Sequence, residues 1–124
     1  MKRLLLSLVI TACCLALPAQ TVSIVTPKNA SNREQYAKEY LGKKLSALGC
    51  EVVPKKGMRI TLANANSGVA EGYTIVKDKK GLTVTGNDAT GVIYGCVELA
   101  ERIKTAGSLA AYVAVAQQQP AQSE

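Results

Sequence analysis

Five carboxylates in the second half of the chain, Glu71, Asp78, Asp88, Glu98 and Glu101, are of the type that cleaves glycosidic bonds. That chemistry needs a pair, one carboxyl to protonate the leaving oxygen and one to attack or to activate water. Glu98 and Glu101 are spaced to share a helix face, but Arg102 and Lys104 beside them mark a solvated surface. The run "GNDATG", Gly86 to Gly91, could offer backbone N–H groups to a phosphate at a helix start. It lacks the spacing of a dinucleotide or nucleotide-phosphate loop, and the Asp88 carboxylate would repel an anion. A turn from hairpin to helix is the better reading.

The chain contains no histidine, which removes a Ser-His-Asp triad and the commonest metal ligand. Cys50 and Cys96 alone make a poor metal site. They are read as two buried thiols, with Cys96 on the apolar face of a helix; pairing in an oxidising compartment is the alternative. No catalytic residue, cofactor site or metal site is assigned, so the chain by itself is not expected to be an active enzyme.

The 124 residues allow one small domain. With no Trp or Phe, its core must be aliphatic, with tyrosines at the margins. Removing the charges of Lys2 and Arg3 with a targeting segment lowers the formal charge from +6 to +4. The remaining basic residues are scattered and no aromatics interleave with them, which argues against nucleic acid.

"MKRLLLSLVITACCLALPAQ" has the parts of a secretory signal peptide: a basic start, an apolar run too short to span a membrane, and small residues before a cleavage site after Ala19. A second reading rests on "ITAC", Ile10 to Cys13, which resembles a bacterial lipobox and would place a lipid on Cys13. Export to the periplasm or medium is expected, with an outer-membrane lipoprotein as the alternative and membrane attachment only through Cys13.

The elements that would position any site are legible from spacing. "TVSIVTP" alternates as a first strand, and Ser31 or Asn32 can cap a helix from Arg33 to about Leu48, with Ala37, Tyr40, Leu41, Leu45 and Leu48 as its stripe. Gly42 weakens the middle of that helix and suggests close packing on a sheet. "CEVVP" is a short strand, followed by a Lys-Lys-Gly turn and the half-buried strand "MRITLANA". "EGYTIVKDKKGLTVTGND" is a hairpin in which Tyr73, Ile75, Leu82 and Val84 share a face.

Asp88 then caps a closing helix with Val92, Cys96, Leu99 and Ile103 as its stripe. Gly91 and Gly95 beside the stripe point to contact with the sheet. The expected fold is α+β: a two-layer sandwich of a mainly antiparallel sheet of four to five strands with two helices packed on one face. The boundaries are 1–19 for the signal peptide, 20–105 for the domain, and 106–124 for a disordered or frayed tail.

From about Val22 to Lys104 this pattern resembles the N-terminal accessory domain of bacterial glycoside hydrolases, the β-N-acetylhexosaminidases of family 20 and the α-glucuronidases of family 67. The resemblance rests on "REQYAKEYLGKKLSALG", the "EGYTIVKDKKGLTVTGND" hairpin and, above all, "ATGVIYGCVELAERI", where Gly91, Tyr94-Gly95 and Leu99 hold the family's glycine, aromatic-glycine and leucine places. It implies a non-catalytic unit whose acidic catalytic residues lie on a following barrel, and a helix face, including Val92, Tyr94 and Leu99, made to pack on that barrel. The chain would then be such a domain truncated before its barrel. A free-standing exported module that binds a glycan or a partner protein on its open sheet face is the alternative.

Overall fold

The structure, a computed structural model, describes residues 20–116 and the pair Gln122–Ser123. The expected signal peptide, its cleavage site, Cys13 and most of the Gln-rich end lie outside the described residues. In chain order the elements are β1 (Gln20–Val25), α1 (Asn32–Ala47), β2 (Cys50–Val52), β3 (Met58–Asn64), β4 (Tyr73–Lys77), β5 (Gly81–Gly86), α2 (Ala89–Ala106), α3 (Leu109–Ala116) and β6 (Gln122–Ser123).

Both long helices start where their side chains satisfy the free N–H groups of the first turn. Ser31 and Glu34 form a reciprocal capping box on α1: Ser31 Oγ accepts from Glu34 N at 3.2 Å, and Glu34 Oε1 accepts from Ser31 N at 3.0 Å. Asp88 caps α2, accepting from Gly91 N at 2.7 Å, and Gly107 ends that helix in the left-handed conformation.

The sheet order is β2-β1-β3-β5-β4-β6. Its buried side chains fall on one phase of the strand alternation: Ile24, Ile60 and Leu82 are in register across three strands, as are Leu62, Val84 and Ile75. Ala37, Leu41 and Leu45 of α1 and Val92, Cys96, Leu99 and Ile103 of α2 complete the same core. The helices therefore cover one face, as the α+β two-layer expectation has it. Each large aliphatic side chain buried here contributes about 1.5–3 kcal/mol.

The direction of the sheet is a correction. β1 is parallel to both β2 and β3, and β3 is parallel to β5; antiparallel pairing is confined to β4 with β5 and the two-residue β6. The short link from β2 to β3 suggests a hairpin, because parallel neighbours usually need a long crossover. Here the two strands are not neighbours. β2 runs beside Gln20–Val22 on one edge of β1, and β3 runs beside Val22–Val25 on the other. Five residues suffice to step over β1 at the level of Thr21, where Gly57 lies so close that a Cβ would fall 2.2 Å from the Thr21 carbonyl oxygen. Ser23, on the face away from the helices, is also buried and lies beside Pro54, Lys55 and Arg59.

Residues 109–116, within the stretch expected to be a disordered or frayed tail, are helical. After Gly107, Ser108 Oγ accepts from Ala111 N at 3.0 Å and starts α3, whose Leu109 and Tyr112 are buried. No helix among the described residues is long and apolar enough to cross a membrane.

Candidate docking surface

The Gly86–Gly91 turn holds protein backbone. Asn87 N donates to Gly72 O at 2.8 Å, Ser67 N donates to Asn87 O at 3.0 Å, and Asn87 Nδ2 donates to Val69 O at 2.8 Å. Asp88 uses one oxygen for the α2 cap and the other to accept from Glu71 N at 3.0 Å. The bond from Glu71 N, followed by that from Gly91 N, holds the Asp88 carboxyl below the usual carboxylate range. The turn thereby fastens the loop between β3 and β4 to the start of α2. Asp78 does similar work in the β4–β5 turn, where the N–H groups of Lys80 and then Gly81 depress its carboxyl.

The glycines of α2 have the role their spacing suggests. A Cβ on Gly91 would fall 2.2 Å from Gly72 O, and one on Gly95 would fall 2.4 Å from Val84 Cγ1. Only hydrogen fits at either position, so α2 lies directly against β4 and β5. Val92 and Leu99 are fully buried in the chain's own core, whereas Tyr94 is 46% exposed. The expectation that Val92, Tyr94 and Leu99 together face a partner is therefore corrected: positions 92, 96, 99 and 103 make one stripe at helical spacing, and 94 lies on the opposite side.

The outward surface of the helix layer contains other residues. The two helices lie side by side with their N-termini together, joined by a 3.0 Å bond from Arg33 Nη1 to Thr90 Oγ1. Tyr36 is 54% exposed and stands 6.4 Å from Tyr40, measured between ring centroids; Lys44 Nζ lies 5.5 Å from the Tyr40 ring centre. Tyr40 and Ile93 are partly buried against the core. Tyr36 and Tyr94 are thus the large amphipathic side chains this layer offers to another body. The 3.6-residue period marks them already, as the residues left over once each core stripe is drawn.

Glu98 and Glu101 line a groove of about 460 Å³ between α2 and α3. Arg102 Nε donates to Glu98 Oε2 at 2.7 Å, and Glu101 is exposed. Cys96 is a buried free thiol that desolvation pushes up to about 12; Cys50 is free and half-buried, and its thiol is also raised by burial. Among the described residues, no three His, Cys, Asp or Glu side chains lie close enough together to hold a metal ion.

Fold and surface define a class, a two-layer accessory domain that presents paired helices to its surroundings. The chain belongs to glycosyl hydrolase family 20, domain 2, whose model matches residues 10–117. In structure it is similar to a glycoside hydrolase family 138 enzyme targeting pectin rhamnogalacturonan II, with 26% identity over 84% of this chain and a TM-score of 0.68. It is also similar to a family 115 4-O-methyl-α-glucuronidase with specificity for decorated arabinogalactans, at 15% identity over 70% of this chain and a TM-score of 0.57. The chain spans 15% and 14% of the lengths of those two proteins. Among curated proteins, none matches.

Proposed function

We propose that this chain is the non-catalytic accessory domain of an exported carbohydrate-degrading glycoside hydrolase of the β-N-acetylhexosaminidase or α-glucuronidase type. Its helix layer packs on a catalytic barrel through Tyr36 and Tyr94. The match to domain 2 of a glycosidase family over most of the chain carries this reading. The two exposed tyrosines supply its physical basis, since an aromatic ring buried at an interface brings a large apolar area with little side-chain entropy to lose.

The glycan-binding alternative has no observation in its favour. Among the described residues, the sheet face away from the helices presents Thr61, Thr74, Thr83, Thr85, Val25 and Val76 and has no aromatic ring on which a sugar could stack.

The test is co-expression of the full chain with the barrel of a family 20 enzyme deprived of its own domain 2. The chain is expected to co-purify with the barrel and raise its melting temperature, and the double variant Tyr36→Ser/Tyr94→Ser is expected to lose both effects. A barrel that gains nothing from the chain would overturn the proposal, as would a double variant that works as well as the parent.

A further inference from the structure

β1 has an edge that its neighbour leaves half covered. β2 pairs only with Gln20–Val22, and the last rung beyond it among the described residues is Val53 N to Val22 O at 2.9 Å. A strand's backbone groups point to alternate sides, so Ile24 directs its N–H and C=O the same way as Val22, past the end of β2. On that side lies a groove of about 830 Å³ between β1 and α1, lined by Ile24, Thr26, Val52 and the α1 residues Lys38, Gly42 and Lys43.

Gly42 is the second observation. A glycine within a helix costs up to about 1 kcal/mol, and close packing would explain it, as it does for Gly91 and Gly95. Close packing is absent at Gly42, where a Cβ would meet only Ile24 Cδ1, at an ordinary 3.8 Å. The missing side chain leaves the middle of the groove open.

Charge is the third. Lys28, Lys38 and Lys43 line the groove against one carboxylate, Glu39. An adjoining hollow, which shares Ile24, Thr26 and Lys38, adds Lys55 and Arg59. Among the described residues none of these five cations is in an ion pair, and the one ion pair joins Arg102 to Glu98.

We infer that this groove is a docking site for an extended acidic segment of a partner polypeptide. The segment adds as a strand to β1 beyond Val52, its backbone pairing with Ile24 and its carboxylates meeting Lys28, Lys38 and Lys43. Strand addition suits the place because the exposed sheet edge supplies main-chain bonds and the flanking side chains supply selectivity. The groove lies on the β1 side of α1 and neither Tyr36 nor Tyr94 lines it, so either assignment can fail alone.

The probe is a fluorescent seven-residue peptide alternating glutamate with valine, titrated into the full chain. Saturable binding with a Kd below about 1 mM is expected, weakened about tenfold or more by Gly42→Met or by Lys38→Glu/Lys43→Glu. The same peptide with lysine for glutamate should not bind. In the complex, the Ile24 amide should gain protection from hydrogen exchange. Gly42→Met improves helix propensity, and its circular dichroism should match the parent, so lost binding reads as a filled groove. Absence of binding overturns the inference, and so does binding indifferent to Gly42→Met or without protection at Ile24. Oligogalacturonate binding in place of the peptide also overturns it, since the groove would then recognise an anionic sugar polymer.

Discussion

The two strand–helix units of this domain use glycine in opposite ways. In β5–α2, Gly91 and Gly95 let the helix backbone lie against β4 and β5 with no room for a methyl group. In β1–α1, Gly42 stands over space, with only Ile24 Cδ1 at contact distance. The difference teaches that a glycine within a helix marks either a contact too close for a side chain or a place kept clear of one. Spacing alone does not say which.

The largest test of that contrast is Gly91→Ala. Its Cβ would meet a backbone carbonyl oxygen, Gly72 O, so helix and loop must move apart. A loss of about 3 kcal/mol is expected in urea unfolding, at the upper end of overpacking effects. An unchanged midpoint would mean that the β5–α2 contact is loose.

Gly95→Ala should follow at about 2 kcal/mol. Its obstacle is Val84 Cγ1, a stiff branched side chain but not backbone. If Gly95→Ala proves milder still, paired Gly95→Ala/Val84→Ala should recover part of the loss, because the double change removes the clash it creates.

This half of the molecule was legible in the sequence because its determinants are local. The β4–β5 hairpin, the Asp88 cap, the stripe of Val92, Cys96, Leu99 and Ile103 and the two glycines all follow from spacings within one or two turns of chain. The other half was less so. The parallel run of β1, β2 and β3 depends on a five-residue step over β1, which no local pattern distinguishes from a hairpin turn. The separate helix at the tail was only partly legible, because Leu109–Ala116 is apolar on every side and shows no stripe, although Gly107 and Ser108 supply a stop and a fresh cap. The groove was half visible: Gly42 stood out in the sequence, but its emptiness could not be read without the edge of β1 beside it.

Smaller is the effect of charge at the β5–α2 junction. The folded Asp88 carboxyl is depressed below its unfolded value of about 4, so the stability it contributes is present above that value and is lost as pH falls through the folded pKa. Asp88→Asn keeps a side-chain acceptor for the helix cap but removes the charge and one of the two accepted bonds. The variant should melt lower than the parent at neutral pH, and the gap should close in acid. A gap that stays constant across the acid range would assign the effect to the lost bond rather than to the charge.

The smallest expected change is the one that separates the two halves most sharply. Gly42→Ala adds a methyl group at an ordinary contact distance from Ile24 and removes the conformational freedom of a glycine within a helix. It should stabilise the chain by up to about 1 kcal/mol, read as a higher urea midpoint with an unchanged slope. The same substitution would then have opposite signs in α1 and α2. That sign, more than the size, carries the argument: a destabilised Gly42→Ala would mean that α1 also needs its glycine for packing, and the open groove would lose the residue that best accounts for it.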